Sequence, residues 1–189
     1  MALATVKRLD TQRTRMRTIT RLSVLTLALL LGGATVGRAQ SCTGNPCSVT
    51  NTASVTVGTV LRLTLSSTTT SLTAPDETSY NNGFQDDLSA LTATVKANRG
   101  WTMSIKSGAA NWTASGAGAR AAKPAGDLEW STSGGAPFNA LTTSNASIGT
   151  SASGTAGAVR TVSYRTLWDY TLDTPGTYSL DVVFTVTAP

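Results

Sequence analysis

The sequence predicts an all-β protein: a two-sheet antiparallel β-sandwich, Ig-like or jelly-roll-like, behind an N-terminal signal peptide. Three observations predict it. Apolar side chains recur at every second residue in several stretches between Ala53 and Ala188. Residues 40–189 hold 27 Thr and 19 Ser but only two Glu and three Lys, a balance that favours strands and turns over helices. No stretch of useful length repeats its apolar residues at the helical period. A barrel is the alternative way to close the same strands.

Residues 1–39 are expected to be the signal peptide. The apolar run Leu22–Leu31 follows Arg17 and Arg21 and precedes Gly32, Gly33 and Ala34. That is the charged, apolar, small-residue order of a secretory leader, and the run is too short to span a bilayer. Cleavage after Ala39 leaves Gln40 first, and a true start at Met16 gives the charged region a more usual length. An uncleaved anchor and a lipidated Cys42 are the competing readings. Against the second, Arg38 interrupts the approach to Cys42, and lipidation would leave Cys47 unpaired.

The chain carries 15 Lys and Arg, 10 Asp and Glu, and no His. Seven bases and one acid precede residue 40, so residues 40–189 carry eight bases and nine acids. The positive charge belongs to the leader, and nucleic acid is not an expected partner. Without His, the commonest general base and metal ligand are missing.

Residues 40–52 are expected to be a disulfide-bridged N-terminal segment. Turn formers lie between the only two cysteines in Cys42-Thr-Gly-Asn-Pro-Cys47, and export exposes them to oxidation. Residues 53–189 form the expected sandwich. Ala53, Val55, Val57, Leu61, Leu63 and Leu65 alternate along one long strand, with a kink or bulge at Gly58. Leu91–Ala97 and Trp101–Ile105 alternate on either side of Asn98-Arg99-Gly100, which predicts a hairpin. Leu128 and Trp130 mark a further strand. Val162–Leu172 and Tyr178–Ala188 alternate around Asp173-Thr-Pro-Gly-Thr177, which predicts a second antiparallel hairpin. Thr68–Gly83, Ser107–Gly126 and Thr142–Gly157 read as long polar loops.

Leu91–Ile105, with Asn98-Arg-Gly-Trp-Thr-Met103, and the ending Tyr178–Pro189 resemble bacterial cell-surface β-sandwich modules of the WxL type. In that family a Trp-x-Leu follows a strand and turn, and a second such motif lies near the C-terminus. Here the two places read Trp101-Thr-Met103 and Val183-Phe-Thr-Val186. The resemblance implies a surface β-sandwich associated with the cell wall. In composition the chain is also similar to fimbrial and spore-coat subunits. Gln40–Thr50, cysteine-bridged and without alternation, is not expected to serve as a donated strand.

Candidate chemistry is sparse. No nucleophile–base pair, phosphate loop or nucleophile elbow is present, so the chain is not expected to be an enzyme. Asp127 and Glu129, two apart, would share a strand face, a placement open to carboxylate-pair chemistry but expected of two solvated acids. Asp76, Glu77, Asp86 and Asp87 flank Asn81 and Asn82 and could supply oxygen ligands to calcium; otherwise they form a solvated acidic loop. Trp101, Trp130, Trp168, Tyr164, Tyr170, Tyr178 and Phe184 are in phase with the strand faces and are expected in the core. Trp112, beside Asn111 in a polar stretch, is expected to be an exposed ligand contact or a cover over the sandwich edge. Asn111 and Asn145 open formal glycosylation sequons.

The expected function is that of a non-catalytic secreted or cell-surface structural protein, extracellular or periplasmic, an assembly or adhesion subunit. Its partners would be copies of itself or other surface proteins. The alternative is a carbohydrate- or cell-wall-binding module that uses loop aromatics.

Overall fold

A computed structural model describes residues 41–189; the leader expected at residues 1–39 lies outside the described residues. The chain divides at Val55 into two units. In the first, Cys42 and Cys47 are joined as a disulfide, with Cα atoms 5.8 Å apart. Residues 41–60 form no helix or strand.

The second unit is an antiparallel β-sandwich. Its strands are β1 (Leu61–Leu65), β2 (Phe84–Ala97), β3 (Trp101–Ser107), β4 (Thr113–Ser115), β5 (Leu128–Ser131) and β6 (Asn139–Ala140). They continue as β7 (Ala146–Ser151), β8 (Thr155–Leu167), β9 (Thr177–Ser179) and β10 (Val182–Thr187). One sheet has the order β1-β2-β8-β5-β6 and the other β10-β3-β7, while β4 and β9 form a separate ribbon. Every described pairing is antiparallel.

The alternation works as period-2 patterns must: every second side chain enters the same layer. Leu91, Ala93, Val95 and Ala97 of β2 are buried, as are Trp101, Met103 and Ile105 of β3 and Val162 and Tyr164 of β8. Trp130 and Leu128 of β5 join them, and Val182, Phe184 and Val186 of β10 pack against this core. Near its start β2 bulges. The register with β8 shifts between Asp87 and Leu91, and Ser89 takes a φ of 56°.

Neither expected hairpin forms. β2 and β3 belong to different sheets, and Asn98-Arg99-Gly100 crosses between them. The Asn98 side chain is spent on β1 instead: Oδ1 accepts from Val60 N at 2.9 Å, and Nδ2 donates to Gly58 O at 2.8 Å. β8 pairs with β2 and β5, whereas β10 pairs with β3. β8 ends at Leu167 because Asp169 folds the chain after it. The Asp169 carboxylate accepts from the backbone of Thr171 at 2.7 Å and of Leu172 at 3.1 Å, a side-chain-closed turn. Tyr170, expected in the core, is therefore 60% exposed.

Two further expectations need correction. The strand expected from Ala53 begins only at Leu61, and Val55 and Val57 are exposed. The polar stretch 68–83 holds a short helix, α1 (Glu77–Asn82). Asp76 caps it by accepting from Ser79 N at 2.8 Å, Ser79 Oγ returns to the Asp76 backbone, and Gly83 closes its far end at a φ of 78°.

Candidate functional site

Along one flank the two sheets are not zipped together. A groove of about 860 Å³ opens there between two stretches of chain, Leu65–Pro75 and Gly176–Phe184. Its floor is the inner face of the larger sheet, with Leu91 of β2, Leu128 of β5, and Tyr164 and Thr166 of β8. Trp112 and Trp168 line it as well. Asp181 is the one charged residue lining it. Trp112 Nε1, Thr166 Oγ1 and Trp168 Nε1 are buried and have no hydrogen-bond partner among the described residues. The groove is thus walled mainly by apolar and hydroxyl-bearing side chains, with these three polar atoms buried behind its surface.

Both banks carry backbone without a sheet partner. β1 is the edge of one sheet and β10 the edge of the other. Beyond β1 the chain is held by a few contacts: Ser66 N donates to Thr92 O at 2.8 Å, and Thr73 donates through N and Oγ1 to Asp87 at 3.0 and 2.6 Å.

One end of the groove is fixed by a buried charge cluster. Lys123 is fully buried, and its Nζ lies 3.1 Å from Asp127 Oδ2, 3.0 Å from Asp173 Oδ2 and 2.7 Å from Leu167 O. Arg120 Nη1 pairs with the same two acids, at 3.2 and 3.0 Å. Two positive and two negative groups balance one another, which is what allows charge to sit inside the protein. Burial works to lower the Arg120 pKa, but the hydrogen bond to Asp173 and the surrounding acids leave it raised. Lys123 Nζ also lies 4.5 Å from the centre of the Trp168 ring, which meets Tyr178 edge-on at 6.2 Å. Tyr80 donates to Asp173 O at 3.1 Å, and its pKa is raised by burial and by the Asp173 charge. The cluster ties the segment around Lys123 to the turn after β8 and so holds Trp168 and Tyr178 in the groove wall.

Of the expected site residues, Trp112 reaches the groove wall and the others fall elsewhere. Trp112 is 6% exposed and belongs to the core, so it is not an exposed loop contact. Its backbone N donates to Lys123 O at 2.8 Å, and the next residues form β4 against β9, which turns the ring inward. Asn111 stays exposed and bridges Pro124. The four acids proposed for calcium are not gathered. Asp76 caps α1, Asp87 holds Thr73, and Glu77 is exposed. Asp86 forms a two-pronged pair with Arg165 at 2.7 and 2.9 Å. Asp76 and Asp86 share a shallow recess of about 330 Å³, but no group of three metal-ligating residues occurs among the described residues. Asp127 and Glu129 also part company: Asp127 joins the buried cluster, while Glu129 stands opposite Arg165 in the register of β5 and β8.

Sequence reasoning missed the groove because its walls come from six separate stretches. It missed the cluster because Lys123 sits among alanines, 50 residues from Asp173. The one available signal was the isolation of that lysine in Ala121-Ala122-Lys123-Pro124-Ala125. Among the described residues no helix is long and apolar enough to cross a membrane. The chain matches no protein-family model and no curated protein.

Proposed function

We propose that the processed chain is a non-catalytic structural subunit, exported to the cell surface or medium, that works by associating with copies of itself. The observation that carries this reading is an apolar groove beside the edge strand β10, at the end of the edge strand β1. Sheet edges of this kind are templates for pairing with another chain unless they are covered. The disulfide and the leader support export. The resemblance to WxL-type modules supports a surface location, although Trp101 of its first motif is a core residue of β3.

The test is sedimentation velocity on the processed protein over a hundredfold range of concentration. The expected result is a sedimentation coefficient that rises with concentration. A single monomeric species throughout overturns the reading.

The Trp112 and Trp168 rings in the groove wall favour a second reading, a glycan- or wall-fragment-binding module that uses the groove. It predicts a monomer whose tryptophan fluorescence shifts on adding wall glycan, and whose response disappears in Trp168→Ala.

A further inference from the structure

We infer that one copy donates residues 49–57 as an extra strand along the bare edge of β10 in the next copy, with Ala53, Val55 and Val57 turned into its groove. This rests on the structural-subunit reading and names the contact that reading needs.

The donor is present in the chain. Residues 49–57 place Val49, Asn51, Ala53, Val55 and Val57 on one side of an extended backbone and Thr50, Thr52, Ser54 and Thr56 on the other, so the side is apolar from Ala53 onward. The segment has strand-forming residues, no proline and no charge. Yet it forms no strand. Val55 is 86% exposed and Val57 76%. An alternating strand with its apolar face in water lacks the layer that would cover it.

The acceptor matches it in two respects. β10 pairs with β3 on one side and has no strand on the other, and its first half, Val182–Phe184, lines the groove. The groove beside that edge is apolar and, Asp181 aside, uncharged, so an uncharged strand enters without stranding a charge. Main-chain pairing then supplies the attachment, and the alternate side chains supply the register.

The test compares the processed wild type with V55D/V57D and with Val159→Asp, which alters an exposed valine on β8. Sedimentation velocity should show at least tenfold weaker association for V55D/V57D and no change for Val159→Asp. Circular dichroism and melting of V55D/V57D should match the wild type, because both side chains are exposed. A labelled peptide of residues 48–60 should bind V55D/V57D, whose groove is intact. Association undiminished in V55D/V57D, or failure of the peptide to bind, overturns strand donation while leaving the subunit reading standing. A wild type that stays monomeric overturns both. A small apolar molecule carried by the folded monomer in native mass spectrometry gives the groove to a ligand and overturns the inference.

Discussion

At one end of the sandwich two sheet-crossing turns lie backbone against backbone; along one flank the sheets part. The turn from β2 to β3 and the turn from β7 to β8 meet at the closed end. A Cβ on Gly154 would come within 2.7 Å of Ala97 O, and one on Gly100 within 3.0 Å of Ala152 O. Each turn uses a glycine to let the other approach. At the flank, by contrast, a groove opens beside the edge strand β10 and the end of β1. The closed end is packed backbone to backbone, and the groove lies where the sheets are less closely packed, beside the segment that the charge cluster around Lys123 ties down.

The sharpest way to break this contrast is to loosen the rim of the groove. Lys123→Ala removes a fully buried cation and leaves Asp173, itself buried, with Arg120 alone. Breaking a buried pair costs about 3–5 kcal/mol. Urea unfolding of the variant should show that loss, and a change below about 1 kcal/mol would mean the cluster is solvated. The closed end is tested next. Gly154→Ala drives a Cβ into backbone and should cost about 1–3 kcal/mol. Gly157→Ala, with nothing within 4 Å of the added carbon, should stay within about 0.5 kcal/mol.

The same contrast shows what could be read in advance. Face was legible: Leu91–Ala97, Trp101–Ile105 and Val162–Tyr164 all turn inward as their alternation requires. Neighbour was not, because a period of two fixes which side chains are buried and says nothing about which strand lies alongside. Asn98-Arg99-Gly100 has hairpin composition but makes a crossing, since Asn98 finds its partners on the approach to β1. Trp112 read as exposed because its sequence neighbours are polar; its burial comes from the pairing of β4 with β9, two strands 64 residues apart. α1 is too short for periodicity, but Asp76-x-x-Ser79 and Gly83 were a readable cap and stop. The groove is a property of strand order, and strand order is a long-range choice.

A smaller effect separates the inside of the sandwich from its outer face. Arg165 is paired with Asp86 and lies between Phe84 and Phe138, with its guanidinium 3.8 and 4.3 Å from the ring centres. Its side chain is 23% exposed, so solvent screens the pair. Arg165→Lys keeps the charge but loses the fork and the flat stacking, and should cost about 1 kcal/mol. Raising the salt concentration should weaken the wild-type pair further and leave the effect of Lys123→Ala nearly unchanged. An equal salt response in both variants would erase the distinction between the two clusters.

The smallest effect is on acid stability. Hydrogen bonds hold two carboxyl pKa values below their usual 3.8. For Asp76 they come from the backbone and side chain of Ser79, and for Asp169 from the side chain and backbone of Thr171. A carboxylate with a depressed folded pKa adds stability that is complete above its unfolded value and lost as pH falls through the folded one. Both contributions should therefore be intact above about pH 4 and fade below it. Asp76→Asn keeps an oxygen that can accept from Ser79 N but cannot titrate. Its melting temperature should fall less steeply than the wild type's between about pH 4 and pH 2. Asp169→Asn should behave likewise, and the turn that ends β8 should survive. Parallel melting curves for all three proteins would show that acid acts elsewhere.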